Sequence, residues 1–301
     1  MAGGILNVNK PRGMASFAVV SLVRRLTGVR RVGHAGTLDP TADGVLPICL
    51  GHATRIVEYL VDAPKTYHAT IRLGVATDTS DSEGTVVATA DASGVTREEV
   101  EKALLTFVGE IQQLPPMYSA LKHAGQPLYR YARAGKTVPR EPRTVTIHRM
   151  EIVRFALPVV EVELECGRGA YVRTLAQDLG QQLGCGGYLE RLTRLRSGPV
   201  SLGDAIELDE LREAGEQETW QELLSPVDRV LESWYAALLD EQHTLDVRQG
   251  RLLLLTPAHR EAAELAVDTR CRAYSEAGEF LAILRYGGAS RWRPEKVFTP
   301  L

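Results

Sequence analysis

Arg31-Val32-Gly33-His34-Ala35-Gly36-Thr37-Leu38-Asp39-Pro40-Thr41-Ala42-Asp43-Gly44-Val45-Leu46-Pro47 is the stretch on which the reading of this chain turns. It has no helical period, and Gly33, Gly36, Pro40 and Gly44 interrupt any regular element, so a loop is predicted from Gly33 to Pro47. A loop of that length inside a compact domain usually carries function. Asp39 stands directly before Pro40, whose ring keeps its predecessor out of the helical region and so holds the carboxylate on extended backbone. An Asx-turn, in which Asp39 and Asp43 only cap backbone amides, accounts for the same residues.

Upstream, Gly4–Val8 reads as a strand that ends at the turn Asn9-Lys10-Pro11-Arg12-Gly13. Ser16 is then expected to cap a helix with Val19, Val20, Val23 and Leu26 on one face, closed by Gly28. Downstream, a helix is expected near Thr54–Leu60, and Lys65–Leu73 alternates as a half-buried strand. A polar turn (Thr77–Gly84) and a strand (Thr85–Thr89) follow, and Thr96 with Glu99 forms a capping box for a helix through Phe107. Residues 115–143 are basic, bear tyrosines and have little apolar moment, which suits a projecting insertion. Strands are expected at Arg143–Phe155 and Val159–Cys166, a helix from Tyr171 to Leu183, and helical pieces at 208–215 and 218–224. After a boundary in Ser225–Ser233 come short strands separated by Gly250, Pro257, Gly278 and Gly287-Gly288. The class is α+β, with an enzyme-sized first domain and a small β-rich second one.

Composition excludes several classes. With 44% hydrophobic and 24% charged residues and no apolar run near the ~20 residues of a membrane helix, the 301-residue chain reads as a globular cytoplasmic protein. Cys49, Cys166, Cys185 and Cys271 are scattered, without Cys-x-x-Cys or a nearby His pair, so they read as reduced buried thiols and no metal is expected. The net charge of −3 hides segregation. Residues 1–60 hold seven Lys or Arg against three Asp or Glu, and residues 115–154 eight against two, whereas residues 201–270 hold sixteen acids against six bases. Basic blocks that converge on one face would form a surface for phosphates; scattered, they are ordinary solvated faces.

Five separated motifs give these residues company: Asn9-Lys10-Pro11-Arg12-Gly13, Gly33-His34-Ala35-Gly36-Thr37-Leu38-Asp39-Pro40, Lys65-Thr66-Tyr67, Gln113-Leu114-Pro115-Pro116-Met117-Tyr118-Ser119-Ala120 and Gly167-Arg168-Gly169-Ala170-Tyr171-Val172-Arg173. In this order they resemble the signature of the bacterial tRNA pseudouridine-55 synthases of the TruB type, from residue 4 to about 200. The resemblance implies a catalytic domain over residues 1–232 built on a central mixed or antiparallel sheet, with a thumb-like insertion at about 115–143. It implies a small PUA-like RNA-binding domain over residues 233–301. The implied reaction turns uridine into pseudouridine at position 55 of the tRNA T-loop by C1′–N1 cleavage and rejoining through C5, without cofactor or metal.

The family's catalytic aspartate matches Asp39, acting as nucleophile at C1′ or as base on the 2′ proton. The arginine paired with it matches Arg173, and the active-site tyrosine matches Tyr67. By the same resemblance His34 fills space left by the flipped nucleotide, Leu192 lines an apolar pocket, and Lys10 supports the catalytic loop or meets a phosphate. Tyr118, Arg130, Arg133 and Lys136 belong to the insertion that folds over the RNA. A monomer acting on the tRNA T-arm is implied. A tRNA-folding chaperone using the same surface is the alternative from another class, or an additional role. An RNA-guided relative is the third reading; the thumb segment and the lack of long basic tails favour a stand-alone enzyme.

Overall fold

The computed structural model describes residues 3–255 and 265–298. In chain order its strands and helices are β1 (Gly4–Lys10), α1 (Ser16–Thr27), β2 (Val32–His34), β3 (Ala42–Leu50), α2 (Val57–Asp62), β4 (Lys65–Leu73), β5 (Val75–Thr77) and β6 (Val86–Thr89). Next come α3 (Arg97–Leu105), β7 (Gly109–Gln113), β8 (Lys122–His123), β9 (Gln126–Pro127), α4 (Leu128–Arg133), β10 (Arg143–Ala156), β11 (Val159–Cys166), α5 (Val172–Gln182), β12 (Gly187–Ser197), β13 (Val200–Ser201) and α6 (Leu208–Glu216). The C-terminal part holds β14 (Tyr235–Leu239), α7 (Glu241–Arg248), β15 (Leu253–Leu254), β16 (Arg270–Ser275), β17 (Phe280–Tyr286) and β18 (Arg291–Val297).

The main sheet runs β1-β3-β12-β4-β11-β10-β7, with β2 on β3 and β13 on β12. Every pairing in it is antiparallel except β3 with β12, where Ala42, Asp43 and Gly44 lie in parallel register with Leu192, Thr193 and Arg194. Because β1 and β3 are covered on both faces, their residues are almost continuously buried instead of alternating. On one side Leu6, Val8, Leu46 and Ile48 meet Val19 and Val23 of α1 and Leu211 of α6. On the other, Ile5 and Cys49 meet Ile56, Val227 and Phe298. A second core forms where β4, β11 and β12 receive Val100 and Leu104 of α3 and Leu175 and Leu179 of α5. Tyr67 and Leu192 pack against both helix-covered cores, so the functional pocket opens at their seam.

Several local expectations are corrected. Ser16 is the first residue of α1 and not its cap; its hydroxyl both donates to the Leu38 carbonyl and accepts from the Leu38 amide, each at 2.8 Å. Gly28 closes the helix in the left-handed region, as expected. The loop expected over Gly33–Pro47 shrinks to residues 35–41, because β3 begins at Ala42 and runs through Pro47. Gly44 makes that strand possible. Its φ is +103°, and a Cβ there would lie 2.3 Å from the Arg194 carbonyl oxygen. Gly187–Ser197 and Gly109–Gln113, for which no element is expected from the sequence, are strands, and residues 218–224 hold only a 3-10 turn. The helix α3 ends at Leu105, and its capping box at Thr96 and Glu99 is complete.

Strand β14 starts a five-stranded sheet ordered β14-β16-β17-β18-β15. Among the described residues it carries a helix absent from the sequence analysis: α7, capped by the Asp240 carboxylate, which accepts from the His243 amide at 2.7 Å. The strand break expected at Pro257 lies outside the described residues.

Candidate active site

The loop carrying Asp39 is pinned at nearly every residue. Gly13 N–H donates to the Pro40 carbonyl at 2.7 Å, and Ala42 N–H donates to the Asp39 carbonyl at 3.1 Å. The Lys10 ammonium, fully buried, donates to the carbonyls of Pro11, Met14 and Ala42. All three of its protons are therefore used inside the protein, which makes Lys10 a support of the loop and leaves none for a phosphate. Burial pulls its pKa down to about 8, against the upward pull of Asp43 and Asp39.

Arg173 comes from a different core, the one built on α5. It is the second residue of α5, whose start is clamped by Gln113: the Gln113 amide donates to the Tyr171 carbonyl at 3.0 Å and accepts from the Tyr171 N–H at 2.7 Å. A cation in the first turn of a helix opposes the helix dipole. Two carboxylates offset this. Arg173 Nη2 lies 2.9 Å from Asp39 Oδ2, and Nη1 lies 3.5 Å from Asp81 Oδ2. Its Nη2 also donates to the Tyr118 carbonyl at 2.7 Å. The guanidinium side chain is 5% exposed while Asp39 is 40% exposed, so the ion pair is rigid at one end and open to a substrate at the other.

Asp39, Tyr67, Arg173 and Leu192 line one cavity of about 320 Å3, together with Lys65 and Arg194. Burial raises the Tyr67 hydroxyl above its ordinary pKa, with the Arg194 charge working against the rise, so Tyr67 is a neutral phenol at neutral pH. Lys65 donates to the carbonyls of Leu60, Val61 and Ala63 at the end of α2, and burial lowers it to about 8.

The remaining expected residues lie around this pocket. His34, on β2, does not line it; its Nδ1 is buried without a hydrogen-bond partner, and burial followed by the Arg194 charge lowers its pKa. Tyr118 contributes a backbone carbonyl, whereas its side chain is exposed. Arg130, Arg133 and Lys136 are exposed on and just after α4, away from the cavity lining, and form no ion pair among the described residues. The sequence reading missed Asp81 and Arg194. Asp81 sat in a segment read only as a polar turn, although Ser80 before it has φ of +60°. Arg194 is given no role in the sequence analysis, yet it is 1% exposed and lines the cavity.

Two family models match the chain: the N-terminal domain of the TruB family pseudouridylate synthases over residues 24–172, and the C-terminal domain of tRNA pseudouridylate synthase B over residues 173–232. A tRNA pseudouridine synthase B of Dehalococcoides mccartyi is 43% identical over 98% of this chain and 96% of its own length. The chain belongs to the TruB family of tRNA pseudouridine synthases. Another relative with the same name, from Burkholderia pseudomallei, is 45% identical over 94% of this chain and 92% of its own. The crystal structure of a Cbf5-Nop10-Gar1 complex aligns with a TM-score of 0.75 at 25% identity, covering 99% of this chain and 85% of that one. The TruB-family chain is accordingly an isomerase, and conversion of uridine to pseudouridine in tRNA is the activity of its family. Among the described residues no cluster of His, Cys, Asp or Glu could hold a metal ion, and no helix is long and apolar enough to cross a membrane.

Proposed function

We propose that this TruB-family enzyme acts as a cytoplasmic monomer on the uridine at position 55 of the tRNA T-loop, flipped into the cavity, with Asp39 as the group that acts on the ribose. Residues 1–232 carry the catalysis and residues 233–301 hold RNA. The observation that carries the reading is the Asp39–Arg173 pair, 2.9 Å apart, at the edge of a cavity whose wall is Tyr67. Arg173 aims the carboxylate by holding one of its oxygens at 2.9 Å.

Breaking C1′–N1 leaves the bonding pair on uracil N1. Asp39 either bonds to C1′ or takes the 2′ proton to give a glycal, and its half-exposed oxygens serve both routes. The cavity retains the detached base between Tyr67 and Leu192 while it turns. C5 then bonds to C1′ as the Asp39–C1′ bond breaks, or as Asp39 returns the proton to C2′ of the glycal, and C5 loses its own proton, for which Tyr67 is the acceptor by the family's pattern. His34 occupies space near the departed nucleotide, and Arg130, Arg133 and Lys136 meet phosphates as the insertion closes over the RNA. The same exposed cations suit a tRNA-binding role that outlasts catalysis. Incubating unmodified tRNA with the enzyme and mapping pseudouridine chemically tests the whole reading. Wild type should modify the T-loop uridine, and Asp39→Asn should bind tRNA and leave it unmodified; turnover by that variant overturns the assignment.

A further inference from the structure

Arg194 is a large, fully charged side chain buried at 1% exposure, and no carboxylate pairs with it among the described residues. Such a charge costs several kcal/mol to desolvate unless something recovers the cost. The protein supplies neutral acceptors only: Nε donates to the Val45 carbonyl at 2.7 Å, and Nη2 donates to the Gly36 carbonyl at 3.1 Å. The surroundings are shaped to admit it. Gly36, at φ of +103°, has no Cβ, and one placed there would lie 3.4 Å from Arg194 Nη1. Gly44 gives way to the Arg194 backbone in the parallel pairing of β3 with β12.

The sheet register says what the guanidinium faces. On antiparallel β12 and β4, Arg194 and Tyr67 are direct cross-strand partners, and both line the cavity. Partners opposite one another in an antiparallel pair project on the same face, with Cβ atoms roughly 5 Å apart. The charges that act most on Tyr67 are Arg194 from β12 and Asp39 from the loop, with the neutral thiol of Cys166 from β11; Lys65 and Arg173 line the same cavity, but Lys65 donates to the carbonyls of Leu60, Val61 and Ala63 and Arg173 is paired with Asp39 and Asp81. Asp39 already has its own cation in Arg173. Arg194 is therefore the cation placed for Tyr67.

We propose that Arg194 is a positioning residue for Tyr67, holding its hydroxyl oxygen and supplying the positive charge that lets this phenol work as the base for the uracil C5 proton. The proposal rests on the functional reading given above. The step it serves balances as follows: Tyr67 first gives its phenolic proton to solvent, the C5–H bonding pair then returns to the uracil ring, restoring its double bond, and the C5 proton passes to the Tyr67 phenolate oxygen. A buried phenolate without a neighbouring cation is strongly disfavoured. The guanidinium removes that obstacle without itself taking or giving a proton.

The test compares wild type with Arg194→Met and Arg194→Lys in single-turnover reactions on unmodified tRNA, across pH 6.5 to 9.5, with tRNA affinity measured separately. Arg194→Met should slow the chemical step by roughly 100-fold, with affinity unchanged within about 3-fold. Its pH–rate profile should move to higher pH than that of wild type. Arg194→Lys, which keeps a charge, should recover about 10-fold and move the profile part of the way back. In a Tyr67→Phe background, Arg194→Met should add no further loss.

Wild-type turnover by Arg194→Met overturns the proposal, as do losses that multiply in the Tyr67→Phe background. A slower rate with an unmoved pH profile in both variants also overturns it, because a merely structural arginine would act that way. Should Arg194→Met fail to fold, the rate and profile of Arg194→Lys decide. Failure of the functional reading looks different: wild type itself leaves the T-loop uridine unmodified.

Discussion

Arg173 is held between two carboxylates, 2.9 Å from Asp39 and 3.5 Å from Asp81, and the two acids differ in exposure, 40% against 10%. The more buried acid is the anchor. Asp81 Oδ1 also accepts from the Thr79 hydroxyl at 2.6 Å and from the Glu83 amide at 3.1 Å, so the turn it sits in is fixed before it meets Arg173. Replacing Asp81 by Asn keeps the shape and removes the charge. The guanidinium then loses one of its two ionic restraints, and Asp39 loses part of its aim. Asp81→Asn is expected to lower the single-turnover rate by about 10-fold or more, with tRNA affinity retained. A rate equal to that of wild type would show that Asp39 alone suffices to place Arg173.

The legibility of this site was uneven for physical reasons. Asp39 could be singled out because Pro40 and the flanking glycines constrain the backbone on the residue itself. Thr96 and Glu99 were equally readable, since a capping box is a contact over three residues. Asp81 and Arg194 were not, because their roles depend on register. Arg194 acquires its partner only when β12 pairs with β4 on one side and β3 on the other. Strand β3 was hidden by Gly44 and Pro47, which read as loop residues. In the fold Gly44 clears the Arg194 backbone, while Pro47 takes part through its carbonyl, which accepts from the Ala35 N–H at 2.9 Å. The helix α7 escaped for a different reason: with only Thr244 and Val247 buried, it lacks an apolar stripe.

Gly44 gives a stability prediction. At φ of +103° an L side chain is strained, and its Cβ would stand 2.3 Å from one backbone atom of Arg194 and 2.8 Å from another. Backbone cannot swing aside as a flexible side chain would, so the parallel β3–β12 pairing must open. Gly44→Ala is expected to destabilise the enzyme by about 3 kcal/mol or more. Urea unfolding checks this, with Gly13→Ala as the control: Gly13 also has positive φ, but a Cβ there meets nothing within 4 Å. Equal losses in the two variants would assign the whole effect to φ and none to the contact.

Lys10 and Lys65 carry a pH dependence. Burial brings both from an ordinary 10.5 down to about 8. Between these values the unfolded chain binds more protons than the folded one, so stability rises with pH through that window. The sign follows from desolvation: the buried ammonium is penalised below pH 8, and the penalty lifts as the proton leaves. Unfolding free energy should increase from pH 7.5 to 9.5. Lys65→Met, whatever its absolute stability, should show a shallower slope. An unchanged slope would remove Lys65 from the linkage.

The basic insertion makes the last prediction, and here the contrast is between cations that are occupied and cations that are free. Lys10 donates all its protons to carbonyls, and Arg173 has two carboxylates. Arg130, Arg133 and Lys136 are exposed. Arg133 lies over the Tyr129 ring, 5.7 Å from its centre. Exposed cations of this kind bind phosphates and release counterions, which steepens the fall of affinity with salt by roughly 0.7 to 0.9 per phosphate contact. Replacing all three by Ala should flatten the slope of log affinity against log salt by about 2 and weaken tRNA binding most at low salt. The chemical step, measured at saturating tRNA, should change by less than about 3-fold, because none of the three lines the cavity that holds Asp39. A titration with unchanged slope would place the insertion off the RNA, whereas a lost chemical step at saturation would mean that closure of this segment also orders the catalytic pair.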